Sequence, residues 1–145
     1  MLVHQILTSK GTAGVITVPP GTSVAAAAKV LSDKRIGSVV VSPDGSAECH
    51  GVLSERDIVR EVGRRGSDCL AEAVDEMMTR KIVTCAPTDT AESVLQKMTD
   101  GRFRHMPVMH EGRMVGLITI GDVVKARLTE LASEKDALEG MIMGF

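Results

Sequence analysis

Two short motifs combine a hydroxyl side chain with a carboxylate three residues later, each directly after an apolar run. The first is G-V-L-S-E-R-D-I-V, with Ser54 and Asp57, and the second is G-L-I-T-I-G-D-V-V, with Thr119 and Asp122. In both, a strand pattern gives way to a helix pattern at the hydroxyl residue. A hydroxyl at the N–H groups of a helix start suits an anion such as phosphate. A carboxylate with two acceptor oxygens suits a cis-diol, which presents two donors.

The same pairs have a purely structural interpretation. A Ser or Thr followed three positions later by an acidic residue is a common capping arrangement, in which the two side chains satisfy free backbone N–H groups at the start of a helix. For either motif alone, capping is the favoured interpretation. One pair of residues could nevertheless cap a helix and hold a ligand.

Both motifs lie within a longer internal repeat. Thr17 recurs as Thr84, an offset of 67 residues, and past the central turn the offset falls to 65, because the first copy carries two additional residues near S-A-E-C-H. Strand patterns, helical apolar faces and turn signals in each copy predict the order β-α-β-β-α. In the second copy, Asp89 with Glu92 predicts a capping box that starts the first helix.

The repeat divides the chain into a first domain over residues 8–66 and a second over residues 81–130. Residues 67–80 between them predict a connecting helix. Residues 131–145 continue a long amphipathic helix, whose apolar face exceeds what a half-domain of this size needs. We therefore expect the C-terminal helix to contact another copy of the chain, as a homodimer.

The two copies resemble tandem cystathionine β-synthase (CBS) domains, the pair called a Bateman module. The segments that carry the resemblance are I-T-V-P-P-G-T-S-V-A-A-A-A-K-V-L, R-I-G-S-V-V-V, G-V-L-S-E-R-D-I-V, M-M-T-R-K-I-V-T-C, R-F-R-H-M-P-V and G-L-I-T-I-G-D-V-V. The resemblance implies an α/β fold in which two β-α-β-β-α repeats pack as a pseudo-twofold pair with two clefts. In this family the clefts commonly bind adenosine-containing ligands, although a fold does not guarantee a ligand.

The resemblance implies AMP or a related nucleotide (ADP, ATP or NAD(H)) as ligand, with S-adenosylmethionine ranked below these and no metal. It assigns Asp57 and Asp122 to ribose, and Ser54 and Thr119 to phosphate or ribose. Two copies in this context favour ligand binding in at least one cleft. Without Tyr or Trp, the base needs aliphatic walls and backbone hydrogen bonds. The other expected ligand-binding residues are Thr17, Val18, Ile36, Gly37, Ser38, Val39, Arg56, Thr84, Cys85, Arg104, His105, Met106, Pro107 and Gly121.

Several of these residues have an equally simple structural explanation. Arg56 and Arg104 offer forks that suit phosphate, but most surface arginines are merely solvated. His105 could contact a base or phosphate, or be a satisfied histidine at the edge of the core. Each apolar position, taken singly, favours ordinary core packing. Because the second motif has Gly121 and no nearby arginine, we expect the two clefts to differ in affinity or ligand.

Composition excludes several function classes. A net charge of −2 gives no broad field for nucleic acid or an anionic membrane, and two aromatic residues cannot form a base-stacking platform. No run of 18 apolar residues occurs, and the N-terminus is too short and polar for a secretory leader. Three widely spaced cysteines suggest neither zinc nor disulfides, so we expect small buried thiols and a cytoplasmic location.

Three functions follow, in this order. The first is a regulatory, signal-transducing nucleotide sensor that modulates an effector protein in trans. The alternative is a ligand-free structural or protein-interaction dimer, in which the C-terminal helix carries the function. The third is an enzyme or redox protein using Cys85. We do not expect an enzyme, because the sequence has no activated nucleophile, metal-ligand spacing or P-loop.

Overall fold

The computed structural model describes residues 1–10, 14–45 and 47–143. Helices and strands are interspersed along the chain, which confirms the expected α/β fold. The elements, in chain order, are α1 (Val3–Ser9), β1 (Thr17–Val18), α2 (Val24–Lys34), β2 (Ser38–Val41), β3 (Gly51–Ser54), α3 (Glu55–Arg65), a 3-10 helix (Ser67–Ala71), α4 (Val74–Met77), α5 (Ala91–Gly101), β4 (His105–His110), β5 (Arg113–Thr119) and α6 (Ile120–Ile142).

The chain forms two compact units, each with its own buried core. We call them the first-repeat unit and the second-repeat unit, because each contains most of one copy of the repeat. The first-repeat unit comprises Gly14–Val83 and Glu111–Val115, and the second-repeat unit comprises Met1–Ala13, Thr84–His110 and Gly116–Phe145.

The first-repeat unit is built on a three-stranded sheet in the order β1-β2-β3. β1 runs parallel to β2, and β2 runs antiparallel to β3 with Ser38 opposite Ser54. Valines fill these strands, because β-branched side chains pack well on a pleated surface. Ser23 is the N-cap of α2, and its hydroxyl accepts a hydrogen bond from the Ala26 N–H. The register places the start of β2 beside the end of β3, where the first motif begins.

The connecting segment packs within the first-repeat unit. It forms the 3-10 helix and the four-residue α4, and the backbones of Val52 and Thr79 then exchange two hydrogen bonds of 3.1 and 2.9 Å. Gly51 has no room for a side chain here. A Cβ at this position would lie 2.5 Å from Met78 Sδ and 2.9 Å from the Thr79 carbonyl oxygen.

The second-repeat unit includes α1 from the start of the chain. The Val3 N–H donates to the Asp89 carbonyl at 2.9 Å, and Val3 and Ile6 lie in the core of the unit. Gly116 on β5 lies against Leu7, since an added Cβ would be 2.8 Å from Leu7 Cδ2. In the second-repeat unit, α1 thus lies against β5. In the first-repeat unit, the end of α4 lies against β3 in a corresponding way.

The first helix of the second repeat begins one residue later than expected. α5 has Thr90 as its N-cap, and the Thr90 hydroxyl accepts from the Ser93 N–H at 3.1 Å. The Asp89–Glu92 capping box predicted from the sequence is therefore wrong. The Asp89 carboxylate instead accepts from the Ala86 N–H at 2.8 Å and stabilises the turn before the helix.

The first strand of the second repeat is reduced to an isolated parallel bridge between Cys85 and Val108. In the first repeat, the Val40 N–H donates to the Ile16 carbonyl at 3.1 Å and extends the pairing of β1 with β2. Pro107 is the counterpart of Val40 and has no N–H to donate. The proline therefore removes the ladder hydrogen bond that a full strand would need.

α6 is continuous over 23 residues. Its first turns pack on the second-repeat unit through the buried Val123 and Ala126, whereas every residue from 131 to 139 is exposed. Helices of this kind gain most of their stability from packing of an apolar face. The distal half of α6 has no such packing against the rest of the described chain.

Candidate functional site

Ser54 and Thr119 occupy the N-caps of α3 and α6. The Asp57 N–H donates to Ser54 Oγ at 3.2 Å, and the Ser54 N–H donates to Asp57 Oδ2 at 3.0 Å. Thr119 and Asp122 repeat these two hydrogen bonds at 3.2 and 2.9 Å. Both motifs are therefore complete capping boxes, and the structural interpretation of the pattern is correct for each.

Capping leaves part of the hydrogen-bonding capacity of these side chains unused. A hydroxyl that accepts from a backbone N–H still has its own proton to donate. A carboxylate that accepts through one oxygen still has a second oxygen. Each box can therefore stabilise its helix and, at the same time, present a donor and an acceptor beside the positive end of that helix.

The first box has arginine beside its carboxylate. Asp57 is 8% exposed, and its Oδ1 accepts from Arg60 Nη2 at 3.1 Å. Arg60 follows one helical turn later and its side chain is about half exposed (53%). Arg56 is also exposed, on the first turn of α3. The first motif therefore has a buried carboxylate bonded to one arginine and a second, exposed arginine in the first turn of α3.

The second box is paired with a lysine from the start of the chain. Lys10 Nζ lies 2.8 Å from Asp122 Oδ2 and donates to the Leu117 carbonyl at 3.0 Å. Burial raises the pKa of Asp122, but the hydrogen bond from Lys10, with those from Thr119, outweighs burial and sets the pKa below its usual range. The second carboxylate is therefore already neutralised by a side chain of its own unit.

Backbone hydrogen bonds bring the beginnings of two strands to the motifs. The Glu55 N–H donates to the Gly37 carbonyl at 2.9 Å, and the Ile120 N–H donates to the Arg104 carbonyl at 2.9 Å. The residues expected to bind ligand at these strand starts thus adjoin the capping boxes.

Ser38 is a buried polar residue beside the first motif. It is 5% exposed, and among the described residues its Oγ has no hydrogen-bond partner. Directly opposite residues of an antiparallel pair project to the same face of a sheet, so the side chains of Ser38 and Ser54 share a face. A buried hydroxyl without a partner costs about 1–3 kcal/mol. Its position next to a capping box therefore needs an explanation.

The expected apolar walls belong to the cores of the two units. Val18 and Val39 lie in the core of the first-repeat unit, and Cys85 and Met106 lie in that of the second. Ile36 is partly buried and packs against the first core. Core packing accounts for the identity of these five residues.

The remaining expected residues differ in what they can offer. The Thr17 hydroxyl donates to the Gly45 carbonyl at 3.0 Å and so stabilises a turn. Thr84 and Arg104 are exposed, His105 is partly exposed, and Pro107 is buried in β4. A Cβ at Gly121 would meet Thr119 Oγ1 at 3.7 Å, an ordinary contact, so close backbone packing does not require glycine there.

Sequence reasoning missed two residues that contact the motif carboxylates. Arg60 could have been found, because residues three apart are neighbours on a helix and an Asp–Arg pair at that spacing is favourable. Lys10 could not, because nothing local in the sequence connects it with Asp122. Among the described residues, no group of three or more His, Cys, Asp or Glu side chains could hold a metal ion. No described helix is long and apolar enough to cross a lipid bilayer.

A model of the CBS domain matches residues 5–64 and 74–129. The chain belongs to the CBS-domain family. It contains two CBS repeats, which confirms the resemblance that the repeated motifs indicate. All the site residues expected in CBS repeat 1 lie in the first-repeat unit, and all those expected in CBS repeat 2 lie in the second-repeat unit.

Solved CBS structures resemble the chain over most of its length. The crystal structure of the CBS-domain containing protein ATU1752 from Agrobacterium tumefaciens is 42% identical, with a TM-score of 0.82, and the match covers 88% of this chain and 99% of that one. The CBS domain protein PAE2072 from Pyrobaculum aerophilum, solved in complex with AMP, is 26% identical, with a TM-score of 0.76 and coverage of 92% and 99%.

A curated CBS relative is longer than this chain. The CBS domain-containing protein CBSX3, mitochondrial, of Arabidopsis thaliana is 34% identical over 121 residues, which are 81% of this chain and 59% of the relative. The chain thus spans little more than half the length of that protein.

Proposed function

We propose that this CBS-domain protein is a regulatory module that binds an adenosine-containing nucleotide, such as AMP, at the first motif and modulates an effector protein in trans. The observation that carries the proposal is Ser38. Its buried hydroxyl lies on the same face as Ser54 and has no hydrogen-bond partner among the described residues. A polar ligand that reaches this face would supply the missing partner and offset the cost of burying the hydroxyl.

The first motif offers the groups that a ribose phosphate needs. The Ser54 hydroxyl can donate to a phosphate or ribose oxygen while it caps α3. The Asp57 carboxylate can accept from ribose hydroxyls, and Arg60 is exposed enough to turn from Asp57 toward a phosphate. Arg56, in the first turn of α3, adds a second cation. The structure of a CBS relative solved with AMP supports this ligand class.

The second motif is a weaker candidate. Asp122 already pairs with Lys10 at 2.8 Å, and Gly121 replaces the arginine of the first motif. Because Lys10 also donates to a backbone carbonyl, it stays beside Asp122, whereas the half-exposed Arg60 can turn from Asp57 toward a phosphate. We therefore propose one site of higher affinity, at Asp57, in line with the expected difference between the two copies.

The direct test is isothermal titration with AMP, ADP, ATP, NADH and S-adenosylmethionine, supported by dye-based thermal shift because the chain has no Trp or Tyr. The variant is Asp57→Asn, which keeps one oxygen for the Ser54 N–H and loses the second acceptor. Asp122→Asn is the matched control. At a hundred times its dissociation constant a ligand adds about 2.7 kcal/mol, roughly 5–10 °C at this size. We expect Asp57→Asn to abolish the shift and Asp122→Asn to keep it.

The Ser38→Ala variant tests whether the Ser38 hydroxyl binds the ligand or is only a buried polar group that the fold tolerates. Removing an unpartnered buried hydroxyl should stabilise the ligand-free protein by about 1 kcal/mol. The same substitution should lower the affinity for the nucleotide. If none of the five compounds binds and Asp57→Asn and Ser38→Ala leave the titrations unchanged, the nucleotide proposal is abandoned.

The second candidate function is a ligand-free interaction module that acts as a homodimer. The exposed apolar side chains of α6 favour it, since Leu128, Leu131 and Leu138 are each about half exposed or more. A homodimer is also part of the nucleotide-sensor proposal, because two copies would give the module a way to transmit binding. The three free thiols fit a reducing, cytoplasmic setting, which we propose as its location.

A further inference from the structure

Most of the large exposed apolar residues of α6 form one narrow stripe, and Met141 lies beside it. Val124, Leu131 and Leu138 recur every seven residues, and so do Leu128 and Ile142, with Lys135 between them. The combined spacing alternates between four and three, which is the a/d pattern of a two-stranded coiled coil. Such a stripe faces one neighbouring helix, whereas a helix lying on a broad protein surface has a wider apolar face.

We call these six residues the α6 stripe. They are Val124, Leu128, Leu131, Lys135, Leu138 and Ile142. In heptad terms Val124, Leu131 and Leu138 are d positions, and the other three are a positions. The flanking e positions are then Lys125, Ala132 and Glu139, and the flanking g positions are Arg127, Glu134 and Met141.

The charges on α6 argue against a parallel pair of these helices. In register, Lys135 would meet the same lysine of the second copy in the hydrophobic seam. Glu134 at g would lie beside Glu139 at the following e position of the other helix. Both pairings join like charges, and the Glu134–Glu139 pairing occurs on both sides of the dimer. A parallel dimer would therefore be destabilised at its centre.

An antiparallel pair resolves most of these conflicts. If the two helices cross at Ser133, each Lys135 packs opposite a leucine, Leu131, and each Lys125 lies beside Glu139 of the other copy. Two opposite-charge pairs thus flank the seam. The two Glu134 side chains approach each other near the axis, where the two Lys135 side chains supply compensating charge. The pattern of charges is complementary to itself in this orientation.

We propose that a second copy of the chain docks on the α6 stripe, with the two α6 helices antiparallel and centred on Ser133. This inference deepens the homodimer within the proposed function, and it does not depend on nucleotide binding. Apolar packing at Leu128, Leu131 and Leu138 supplies the affinity, and the Lys125–Glu139 pairs select the orientation.

The test is sedimentation analysis of full-length Lys125→Glu and Glu139→Lys, singly and mixed, at low salt. Each single variant turns both interhelical pairs into like charges, and we expect about a tenfold weaker dimer. A one-to-one mixture should restore wild-type affinity, because both pairs are opposite in charge in the mixed dimer. Within one helix the two residues are about 21 Å apart, so they cannot compensate each other in a monomer.

Leu131→Glu should give a monomer. Val59→Glu, at an exposed valine on α3, is the matched control and should leave the dimer unchanged. Circular dichroism checks that each variant is folded.

The alternatives give different results. If both charge reversals and Leu131→Glu leave the dimer affinity unchanged, the two copies contact each other elsewhere, and the α6 proposal is wrong. A tighter dimer for Glu139→Lys indicates a parallel pair and also overturns it. A wild-type chain that stays monomeric at millimolar concentration removes the homodimer altogether, whereas nucleotide titration tests the sensor function independently.

Discussion

Lys10 Nζ lies 2.8 Å from Asp122 Oδ2, although the two residues come from opposite ends of the chain. The equivalent carboxylate in the first repeat, Asp57, is bonded by Arg60 of its own helix instead, at 3.1 Å. The two motifs are therefore equal as capping boxes and unequal as electrostatic sites. A cation fixed by tertiary packing neutralises one, and a side chain that is half exposed neutralises the other.

Replacing Lys10 with Met should raise the pKa of Asp122, because burial would then act with less opposition. An Asp whose folded pKa is depressed contributes stability above its unfolded pKa, near 4, and loses it as the pH falls through the folded value. Lys10→Met should therefore cost about 1 kcal/mol at pH 7 and nothing near pH 2. Carboxyl NMR titration of Asp122 and urea unfolding at both pH values check this.

Lys81→Met serves as the control for this lysine change. Lys81 is an exposed lysine in the segment after α4. It should leave both the Asp122 pKa and the stability unchanged. An equal loss of stability at pH 2 and pH 7 in Lys10→Met would show that packing, and not charge, explains the effect.

Gly51→Ala should destabilise the protein more than Gly116→Ala. A Cβ at Gly51 meets the Thr79 carbonyl oxygen at 2.9 Å as well as Met78, and that carbonyl accepts a hydrogen bond from the Val52 N–H, which fixes its position. A Cβ at Gly116 meets the end of the Leu7 side chain, which can change rotamer. We expect a cost of about 2–3 kcal/mol for Gly51→Ala and about 1 kcal/mol for Gly116→Ala in urea unfolding. Equal costs would contradict this.

Ser54→Ala and Thr119→Ala should each cost about 1 kcal/mol, because each removes the acceptor for an N–H in the first turn of a helix. Ser54→Thr and Thr119→Ser keep that acceptor and should recover most of the loss. Thermal unfolding followed by circular dichroism measures all four variants. A loss that the conservative exchange does not recover would mean that the hydroxyl has little part in capping.

Cys85 should be almost inert in the folded protein. Burial, with a smaller contribution from Asp89, raises its pKa to about 11, so roughly one thiol in a thousand is ionised at pH 8. Iodoacetamide labelling followed by peptide mass spectrometry should modify Cys85 only after urea unfolding, with Cys85→Ser to identify its peptide. Rapid labelling of Cys85 in the folded protein, at a rate that changes when nucleotide is added, would instead support the redox function.

Some of the fold follows from local sequence alone. The spacing of apolar residues predicted α2 and the start of α3, because a helix brings residues three and four positions apart onto one face. The Ser-x-x-Asp and Thr-x-x-Asp pairs predicted both capping boxes, since their hydrogen bonds join residues within one turn. The N-cap of α5 was misplaced because Asp89 and Thr90 are both good caps, and Asp89 is used in the turn before the helix.

The sequence by itself determined the repeat, the α/β order and the family, because these depend on patterns that recur along the chain. Tertiary structure alone decided which cation meets each carboxylate, which buried hydroxyl lacks a partner among the described residues, and that the second repeat has only a bridge where the first has a strand. Lys10 reaches Asp122 because α1 packs into the second-repeat unit through Val3 and Ile6. Contacts between residues far apart in the chain depend on how whole elements pack, and no local pattern encodes them.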